Sequence, residues 1–271
     1  MKESYSKVIN LILAILLGIV SQLVADTETQ NLFLAGCFAT GLAAITNWLS
    51  WGLENRSLLR TLVQALFIRR LRLSCSYLYK IEVEDKYLLV QSRKHKKYQP
   101  VGGNFKRGIY SNSFLNKLEV EPDDKFTNDG RSKDDLRLHI KGYRFGRFLR
   151  WYNQPNKERE VSYDREFYEE LIESRILPKI LFPYPIVNFR KQIVTQVKYS
   201  EHLNCKEVHI YDIIELVPTT EQLEYLKEMQ AQSESNDFKW VDANVIRSQG
   251  FRPDLKTTPF PITDHSAEIL I

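Results

Sequence analysis

Three glutamates in one short segment are the residues of this sequence most suited to chemistry. On a helix, Glu166, Glu169 and Glu170 occupy positions i, i+3 and i+4 and therefore share one face. Carboxylate oxygens are the ligands that Mg²⁺ prefers, and a bound ion would polarise a phosphoryl oxygen and supply a nucleophilic water. The competing interpretation is an acidic face that is simply solvated.

Two other segments interleave basic and aromatic residues. Rings of this kind stack on nucleic-acid bases, while guanidinium groups fork onto phosphates. The pattern predicts a site for a phosphodiester-linked nucleotide, and the alternative is an aromatic core edge with a solvated or lipid-facing basic rim. The candidate ligand-binding residues are Arg93, Lys96, Lys97, Tyr98, Phe105 and Arg107 around the turn Pro100–Gly103, and Arg144, Arg147 and Trp151 in the segment Lys141–Tyr152.

The composition divides the chain between two solvents. Its 271 residues are 43% hydrophobic, with 38 Lys and Arg against 34 Asp and Glu, which is ordinary for a folded protein. Most of the charges lie beyond Leu53, however, and two long uncharged runs precede it. Cys37, Cys75 and Cys205 lack the spacing of a zinc site or a disulfide framework, which favours a reducing compartment.

The uncharged runs predict an N-terminal transmembrane hairpin. Val8–Ala25 would rise about 27 Å as a helix, close to the hydrocarbon thickness of a bilayer, and Leu32–Leu53 is longer. The polar stretch Asp26–Asn31 between them predicts a tight turn. Basic residues flank the outer ends of both runs and the turn carries only acids, so both termini and the C-terminal domain are expected in the cytoplasm.

Small residues recur every four positions in the second run, at Ala35, Ala39 and Ala43. This spacing lets helix backbones approach closely in lipid, although small residues are also common in such helices for no special reason. The next segment, residues 55–74, predicts a basic amphipathic connector. It fits either a helix lying on an anionic membrane surface or a domain helix that packs on the following sheet.

Beyond the connector, residues 75–271 predict one domain of mixed α and β structure. The predicted strands are Tyr77–Val83, Tyr87–Gln91, Leu136–Ile140, Ile193–Tyr199 and Val208–Val217, and the predicted helices are Tyr163–Ser174, Thr220–Gln230 and Val241–Gln249. The stretch Glu121–Asp135 is typical of a loop or a disordered insert.

Three segments of this domain resemble the Nudix superfamily. Tyr87–Lys106 is similar to the strand, loop and Pro-x-Gly-Gly turn before a Nudix box, Arg165–Leu171 (REFYEEL) to the helix of that box, and Phe238–Ile246 to the terminal helix region. The resemblance implies an α+β chain, with the N-terminal two-helix transmembrane hairpin followed by a Nudix-like α/β/α sandwich domain carrying an insertion at about 107–160. It also implies that Glu166, Glu169 and Glu170 are the metal ligands of any retained Nudix-type site.

The sequence departs from the full Nudix box at three positions. Trp151 and Lys157 stand where the box has a Gly and a Glu, and Ile172 stands where it has a second Gly, with Glu158 as a partial substitute carboxylate. A site short of one carboxylate and close to a lysine holds Mg²⁺ less well. We therefore expect nucleotide binding without efficient hydrolysis and no required cofactor, with Mg²⁺ bound only if the acidic helix keeps a metal site.

The order of the segments resembles membrane effectors of bacterial cyclic-oligonucleotide antiphage signalling systems (CBASS), which join transmembrane helices to a SMODS-associated Nudix-like domain. The resemblance implies a multi-pass protein of the bacterial inner membrane in contact with its lipid. Its ligand would be a cyclic di- or trinucleotide made by a partner cyclic-oligonucleotide synthase, and binding would promote a homo-oligomer that disrupts the membrane. The alternatives are a membrane-tethered Nudix-type pyrophosphohydrolase of nucleoside-diphosphate derivatives and an adaptor without nucleotide affinity.

Overall fold

A computed structural model describes most of the chain beyond its N-terminus. The described residues are Ile15, Ile19, 27–92, 95–108, 110–123, 134–154, 159–232, 235–254 and 256–270, without the side chains of Gln30, Phe33, Ala44 and Trp48. The chain divides into two units, Met1–Arg60 and Thr61–Ile271. Apart from the helical residues Ile15 and Ile19, the predicted first span Val8–Ala25 lies outside the described residues.

The first unit contains a long apolar helix, α1, which runs from Thr27 to Glu54 over 28 residues. At 1.5 Å per residue it is about 42 Å long, which exceeds the hydrocarbon thickness of a bilayer. Its large apolar side chains point outward, and that of Phe38 is 77% exposed. Within the described part of the chain, α1 alone is long and apolar enough to cross a membrane. The predicted run Leu32–Leu53 is therefore confirmed as a helix, and the pairing of two spans stays a prediction.

The turn predicted at Asp26–Asn31 is wrong from Thr27 onward, because Thr27–Asn31 form the first turns of α1. Thr27 and Gln30 have the spacing of a capping box, in which Ser or Thr is followed three residues later by Glu or Gln. Polar residues at these positions favour the start of a helix, so a polar stretch alone did not indicate a loop.

The second helix, α2, is Arg56–Leu66. Thr61 and Ala65 are buried, and the Thr61 hydroxyl donates a hydrogen bond to the carbonyl oxygen of Thr195 at 3.2 Å. The first strand, β1, begins at Leu71. The last four residues of the predicted connector 55–74 therefore lie in the sheet, where their side chains are buried.

The main sheet of the second unit is organised around β1, with strand order β6-β7-β1-β10-β8. β10 pairs with β1 in parallel, while β7 and β5 pair antiparallel with successive parts of β1. β9 pairs antiparallel with the first three residues of β10, Cys205–Glu207. The strands are β1 Leu71–Lys80, β5 Gly102–Asn104, β6 Glu121–Pro122, β7 Arg137–Ile140, β8 Val187–Val194, β9 Lys198–Ser200 and β10 Cys205–Leu216.

A smaller sheet is centred on β3, which pairs antiparallel with β2, β4 and β11. These strands are β2 Glu82–Val83, β3 Lys86–Gln91, β4 Tyr98–Gln99 and β11 Phe238–Asp242. The Asp242 carboxylate accepts hydrogen bonds from the backbone N–H groups of Asn244 and Val245, at 2.8 and 3.0 Å. This N-cap starts the following helix two residues later than the predicted Val241–Gln249.

The other helical elements connect these strands. They are α3 Ser111–Lys117, a 3₁₀ turn Gly142–Arg144, α4 Phe145–Tyr152, α5 Asp164–Phe167 with a π-helical continuation Tyr168–Ile172, α6 Thr220–Gln232, α7 Ala243–Arg247 and a 3₁₀ turn Asp264–Ile269. The predicted mixture of α and β structure is confirmed. The predicted strand Ile193–Tyr199 is wrong as one strand, because β8 ends at Val194 and β9 begins at Lys198.

Part of the stretch predicted as a loop or disordered insert belongs to the folded domain. Glu121 and Pro122 form β6, and Asp123 is 4% exposed. Its carboxylate pairs with the guanidinium of Arg72 on β1 at 2.6 Å, so a charge in a polar segment is buried by tertiary pairing. Residues 124–133 lie outside the described residues.

The close approach between α2 and the turn before α4 requires the glycine at position 142. The N–H of Gly142 donates to the carbonyl oxygen of Ile68 at 2.8 Å. A Cβ at Gly142 would lie 1.9 Å from the carbonyl oxygen of Ala65, which is backbone that cannot rotate away.

We predict that Gly142→Ala lowers the free energy of unfolding by about 2–4 kcal/mol, because the two backbones must separate. Gly146→Ala is the matched control, since the nearest atom to an added Cβ there is Leu62 Cδ2 at 3.6 Å. Gly146 is the second residue of α4, and this control should be neutral or stabilising by up to about 0.5–1 kcal/mol. Urea unfolding of the detergent-solubilised chain measures both, and equal effects of the two variants would contradict the packing.

Candidate functional site

The acidic helix, Asp164–Ile172, lies directly over Gly102 and Gly103, which belong to strand β5 and not to the predicted turn. The Gly102 N–H donates to the carboxylate of Glu170 at 3.0 Å. A Cβ at Gly103 would lie 2.2 Å from Glu166 Oε1, so a side chain there would require the Glu166 carboxylate to move. From β1, the Tyr77 hydroxyl accepts a hydrogen bond from the N–H of Glu166 at 3.2 Å. Strands β5 and β1 together hold the acidic helix in position.

Arg165 is the electrostatic centre of this region. Its guanidinium donates to Glu160 Oε1 at 3.1 Å, to the carbonyl oxygen of Asn104 at 2.8 Å and to Glu166, with Glu169 at 3.9 Å. Burial disfavours the charged form of Arg165, but the hydrogen bond that it donates to Glu160 and the charges of Glu160 and Glu166 outweigh burial and raise the pKa of Arg165. The acidic helix is therefore held by an internal cation.

Glu166 is more buried than Glu169, since its side chain is 16% exposed against 40% for Glu169. Burial raises the pKa of its carboxyl group above the ordinary value, and the charge and hydrogen bond of Arg165 oppose that shift. The helix also widens into a π-helical turn at Tyr168, which changes the angular positions of Glu169 and Glu170 relative to a regular α-helix. Glu166 and Glu170 nevertheless face the same pair of residues, Gly103 and Gly102, and Glu169 lies 3.9 Å from the Arg165 guanidinium.

Among the described residues, the carboxylates of the acidic helix are not arranged to hold a divalent metal ion. Glu166 is bonded to Arg165, and Glu170 accepts the hydrogen bond from Gly102. Across the residues that the structure describes, no group of three or more His, Cys, Asp and Glu side chains is arranged to hold a metal. Lys157 and Glu158 lie outside the described residues. In the described helix, the guanidinium of Arg165 is the cation in contact with Glu166.

The structure places the three predicted ligand-binding rings in the core. Phe105 is fully buried against Tyr77, and their ring centroids are 4.9 Å apart. Trp151 is 3% exposed and stacks on Phe114 at 5.3 Å. Tyr98 is 4% exposed and donates from its hydroxyl to the Asn236 carbonyl oxygen at 2.7 Å. All three rings pack against other residues of the domain. Their faces are therefore not open to the nucleotide bases that the sequence suggested.

The described basic residues among the predicted ligand-binding residues lie on four separate elements. Lys96 and Lys97 are exposed on the turn between β3 and β4, and Arg93 lies outside the described residues. Arg107 is half-buried and 3.9 Å from Asp134, while Arg144 pairs with Glu119 at 2.5 Å. Arg147 is exposed on α4. The elements that carry these cations are distributed over the domain.

A cavity of about 590 Å³ opens beside the acidic helix. It lies between this helix and a proline-rich segment before β8, and both sides contribute aromatic rings and charged groups. The lining residues are Asp164, Arg165, Phe167, Tyr168, Glu169, Glu173, Lys179, Phe182, Pro183, Tyr184 and Pro185. Its volume falls within the range of small-molecule sites, about 300–1,000 Å³.

The cavity offers ring faces and a cation at one place. Tyr184 is 77% exposed and Tyr168 is 37% exposed. The ammonium of Lys179 lies 5.3 Å from the Tyr168 ring centroid, and the hydrogen bond with Tyr168 raises the pKa of Lys179. Rings stack on bases and an ammonium binds phosphate, so this cavity has the chemistry that the sequence analysis assigned elsewhere.

Tyr168, Lys179 and Tyr184 were not among the binding residues predicted from the sequence. The available signal was the pair of prolines around Tyr184, in the sequence Pro-Tyr-Pro. Proline fixes its own φ and restricts the residue before it to extended conformations, so this tripeptide holds the tyrosine in a stiff, exposed segment. A rigid aromatic residue on a surface segment is typical of a binding site.

The fold and this site define a Nudix-like domain in which Arg165 of the acidic helix pairs with Glu166 of the same helix. Residues 70–270 match the sequence model of the SMODS-associated NUDIX domain. The chain belongs to this family. No protein with a curated description matches it.

We predict that Arg165→Gln lowers the free energy of unfolding by about 2–4 kcal/mol at neutral pH, because Glu166 is left buried without its cation. The pKa of Glu166, already raised by burial, should rise further. The folded protein then binds a proton more tightly than the unfolded chain, so the free energy of unfolding of the variant recovers as the pH falls through that pKa. Urea unfolding over a pH series measures this recovery.

Arg150→Gln is the control, since Arg150 is exposed on α4. It should change stability little and equally at every pH. A deficit of Arg165→Gln that stays constant from neutral to acidic pH would contradict the role given to Glu166.

Proposed function

We propose that the chain is a membrane-anchored effector of bacterial antiphage signalling, whose Nudix-like domain binds a cyclic di- or trinucleotide without efficient hydrolysis. One observation carries the proposal: the carboxylates of the acidic helix are engaged by Arg165 and Gly102, while a cavity lined by rings and cations opens beside them. Membership of the SMODS-associated NUDIX family supports a role in CBASS-type defence.

The cavity supports nucleotide binding through two kinds of contact. Tyr168 and Tyr184 present ring faces to a base, and Lys179 offers a positive charge to a phosphodiester. Asp164, Glu169 and Glu173 also line the cavity and would repel phosphates placed near them, so the phosphates are expected at the Lys179 side. The acids are suited to accept hydrogen bonds from base amino groups or ribose hydroxyls.

The state of the acidic helix supports binding in preference to hydrolysis. Nudix-type chemistry needs carboxylates that converge on a metal, which then supplies a nucleophilic water. Here the carboxylate of Glu166 is neutralised by a permanent cation in the chain itself. A hydrated Mg²⁺ at Glu166 would have to displace the Arg165 guanidinium, which would then keep Glu160 and the Asn104 carbonyl oxygen as its close partners.

The length and composition of α1 support the membrane anchor. We propose that it crosses the bacterial inner membrane, that Val8–Ala25 forms the first span of a hairpin with it, and that both termini and the domain face the cytoplasm. Arg56 and Arg60 follow α1 closely, as the positive-inside rule requires for that orientation. A cyclic-oligonucleotide synthase would supply the ligand.

Ligand-coupled assembly would connect the cavity to the membrane. A ligand that binds an assembled form more tightly shifts the population toward it by its differential affinity. Assembly raises the local concentration of the membrane helices, and the small side chains of α1 at Ala39, Thr40 and Ala43 permit close packing in lipid. The Thr40 hydroxyl donates within its own helix to the Gly36 carbonyl at 2.8 Å, so packing there leaves it satisfied.

We predict that the detergent-solubilised full chain binds one member of a panel comprising cyclic di-AMP, cyclic di-GMP, cyclic GMP–AMP and cyclic tri-AMP. Tyr184→Ala should weaken that binding about 5- to 150-fold, the loss of stacking on one base. Calorimetry measures the affinity, and mass analysis of the recovered ligand should find it intact.

Tyr199→Ala is the matched control, because Tyr199 is an exposed tyrosine on β9 that does not line the cavity. Equal losses in both variants would remove the cavity as the binding site. Recovery of a hydrolysed product would favour the pyrophosphohydrolase, and no binding to any member would leave the sensor proposal without its ligand.

We predict that the ligand identified in that assay releases dye from vesicles containing the full chain. Replacing Ala39, Thr40 and Ala43 together by Leu should abolish release and leave ligand affinity unchanged, because bulky side chains keep the helices apart. Phe38→Leu with Ile45→Leu is the control on other faces of α1 and should leave release intact. Dye release that survives the triple substitution would exclude packing through this face.

A further inference from the structure

A surface with apolar and basic residues lies on the outer side of α2 and the turn before α4. Phe67 is 85% exposed, Val63 58%, Tyr143 54% and Leu66 51%. Leu66, Phe67, Arg69, Lys141 and Tyr143 border a shallow cavity of about 220 Å³. We call Val63, Leu66, Phe67, Arg69, Lys141 and Tyr143 the α2 surface.

The α2 surface is held rigidly from behind. Thr61 and Ala65 are buried, and the Thr61 hydroxyl bonds to Thr195. Gly142 donates to the Ile68 carbonyl and leaves no room for a Cβ against Ala65, so the two segments are locked together. The domain side of α2 is therefore already packed, and the exposed apolar side chains belong to a second face.

The charges of this region are positive on balance. Arg69 and Arg70 are exposed beside Phe67, and Lys141 and Arg144 flank Tyr143. Two acids are present: Glu121 pairs with Arg70 at 2.9 Å, and Glu119 pairs with Lys141 and Arg144. Four cations against two carboxylates leave a net charge of +2, and the pairs of Arg70 and Lys141 are solvent-exposed and weak.

This combination fits the interface of an anionic bilayer. Apolar side chains enter the boundary between head groups and acyl chains, tyrosine favours the same depth, and cations lie at the lipid phosphates. The chain also restricts the distance, because Phe67 follows the last residue of α1 by 13 residues, which span at most about 45 Å when fully extended. A surface tethered so closely to a membrane helix meets lipid at high effective concentration.

We propose that the α2 surface docks on the anionic lipid surface of the membrane in which α1 is anchored, with Leu66 and Phe67 entering the interface and Arg69 and Lys141 contacting lipid phosphates. This inference rests on the proposed membrane anchor. It gives the segment from Lys141 to Arg144 a lipid partner, where the sequence suggested nucleotide phosphates. Docking would hold the domain in one orientation on the membrane.

The test uses the full chain reconstituted in vesicles whose lipids carry bromine on the acyl chains. Phe67→Trp adds a fluorophore at the centre of the surface, and the fluorescence of the parent chain is subtracted. Phe251→Trp is the matched control, because Phe251 is 47% exposed and follows α7 at the other end of the chain. We expect brominated vesicles rich in phosphatidylglycerol to quench the tryptophan introduced at position 67 and to spare the one at position 251.

Lipid charge supplies the second arm. Arg69→Ala with Lys141→Ala should weaken docking about fivefold per cation, so quenching in the Phe67→Trp background falls toward the control. Lys86→Ala, which removes an exposed lysine of the small sheet, should leave quenching unchanged. Phosphatidylcholine vesicles should likewise reduce quenching of the Phe67→Trp chain.

Each outcome separates docking from anchoring. Flotation of the chain with vesicles after carbonate washing reports the anchor alone and should not depend on lipid charge. A chain that floats, and in which the residue introduced by Phe67→Trp is not quenched, overturns the docking surface and leaves the anchor in place. Equal quenching at both tryptophans, or quenching independent of lipid charge, overturns the proposal as well, and failure to float overturns the anchor itself.

Discussion

A buried arginine in the central strand is the constraint on which the folded domain depends. All ten residues of β1 are buried, and the side chain of Arg72 is 5% exposed. An unpaired guanidinium at that depth is unfavourable by several kcal/mol, so its partners are obligatory. Asp123 and Glu207 bond to it at 2.6 and 2.7 Å, and they come from the two sides of β1. The insertion and the long strand β10 must therefore assemble around β1 together, and β1 in turn positions the acidic helix through the Tyr77 hydroxyl.

The acidic helix shows how one local cation changes the use of a metal-binding pattern. Arg165 stays charged at every physiological pH and is covalently part of the helix, so it neutralises Glu166 without the dehydration that Mg²⁺ requires. The π-helical turn from Tyr168 to Ile172 then turns the following residues away from regular helical positions. Tyr168 lies at this turn and lines the adjacent cavity. Glu166 and Glu170 of this Nudix-like helix are thus bonded to Arg165 and Gly102, and a cavity opens beside the helix.

The segment from Lys141 to Tyr152 divides between two environments. Its rings Phe145, Phe148 and Trp151 are buried in the domain, while Arg147 and Arg150 remain in solvent. Hydrophobic burial contributes about 1.5–3 kcal/mol for each large side chain, which decides the direction of the rings, and the charged groups follow on the opposite face. The interleaving that suggested base stacking is therefore the amphipathic pattern of a short packed helix. Among the aromatic residues of this segment, only Tyr143 stays exposed, and it lies beside the cations near α2.

Features that depend on neighbouring residues could be predicted from the amino-acid sequence. Uncharged length identified α1, helical periodicity identified α6 at Thr220–Gln232, and the Gly-Gly turn with REFYEEL identified the Nudix-like domain. The burial of the aromatic rings and the pairing of Arg165 with Glu166 could be seen only in the folded domain. The same is true of the cavity at which Tyr168, Lys179 and Tyr184 meet. The physical reason is that burial and ion pairing arise between segments far apart in the chain, as in the pairing of β1 with β10, whereas helix and strand preferences are set within a few residues.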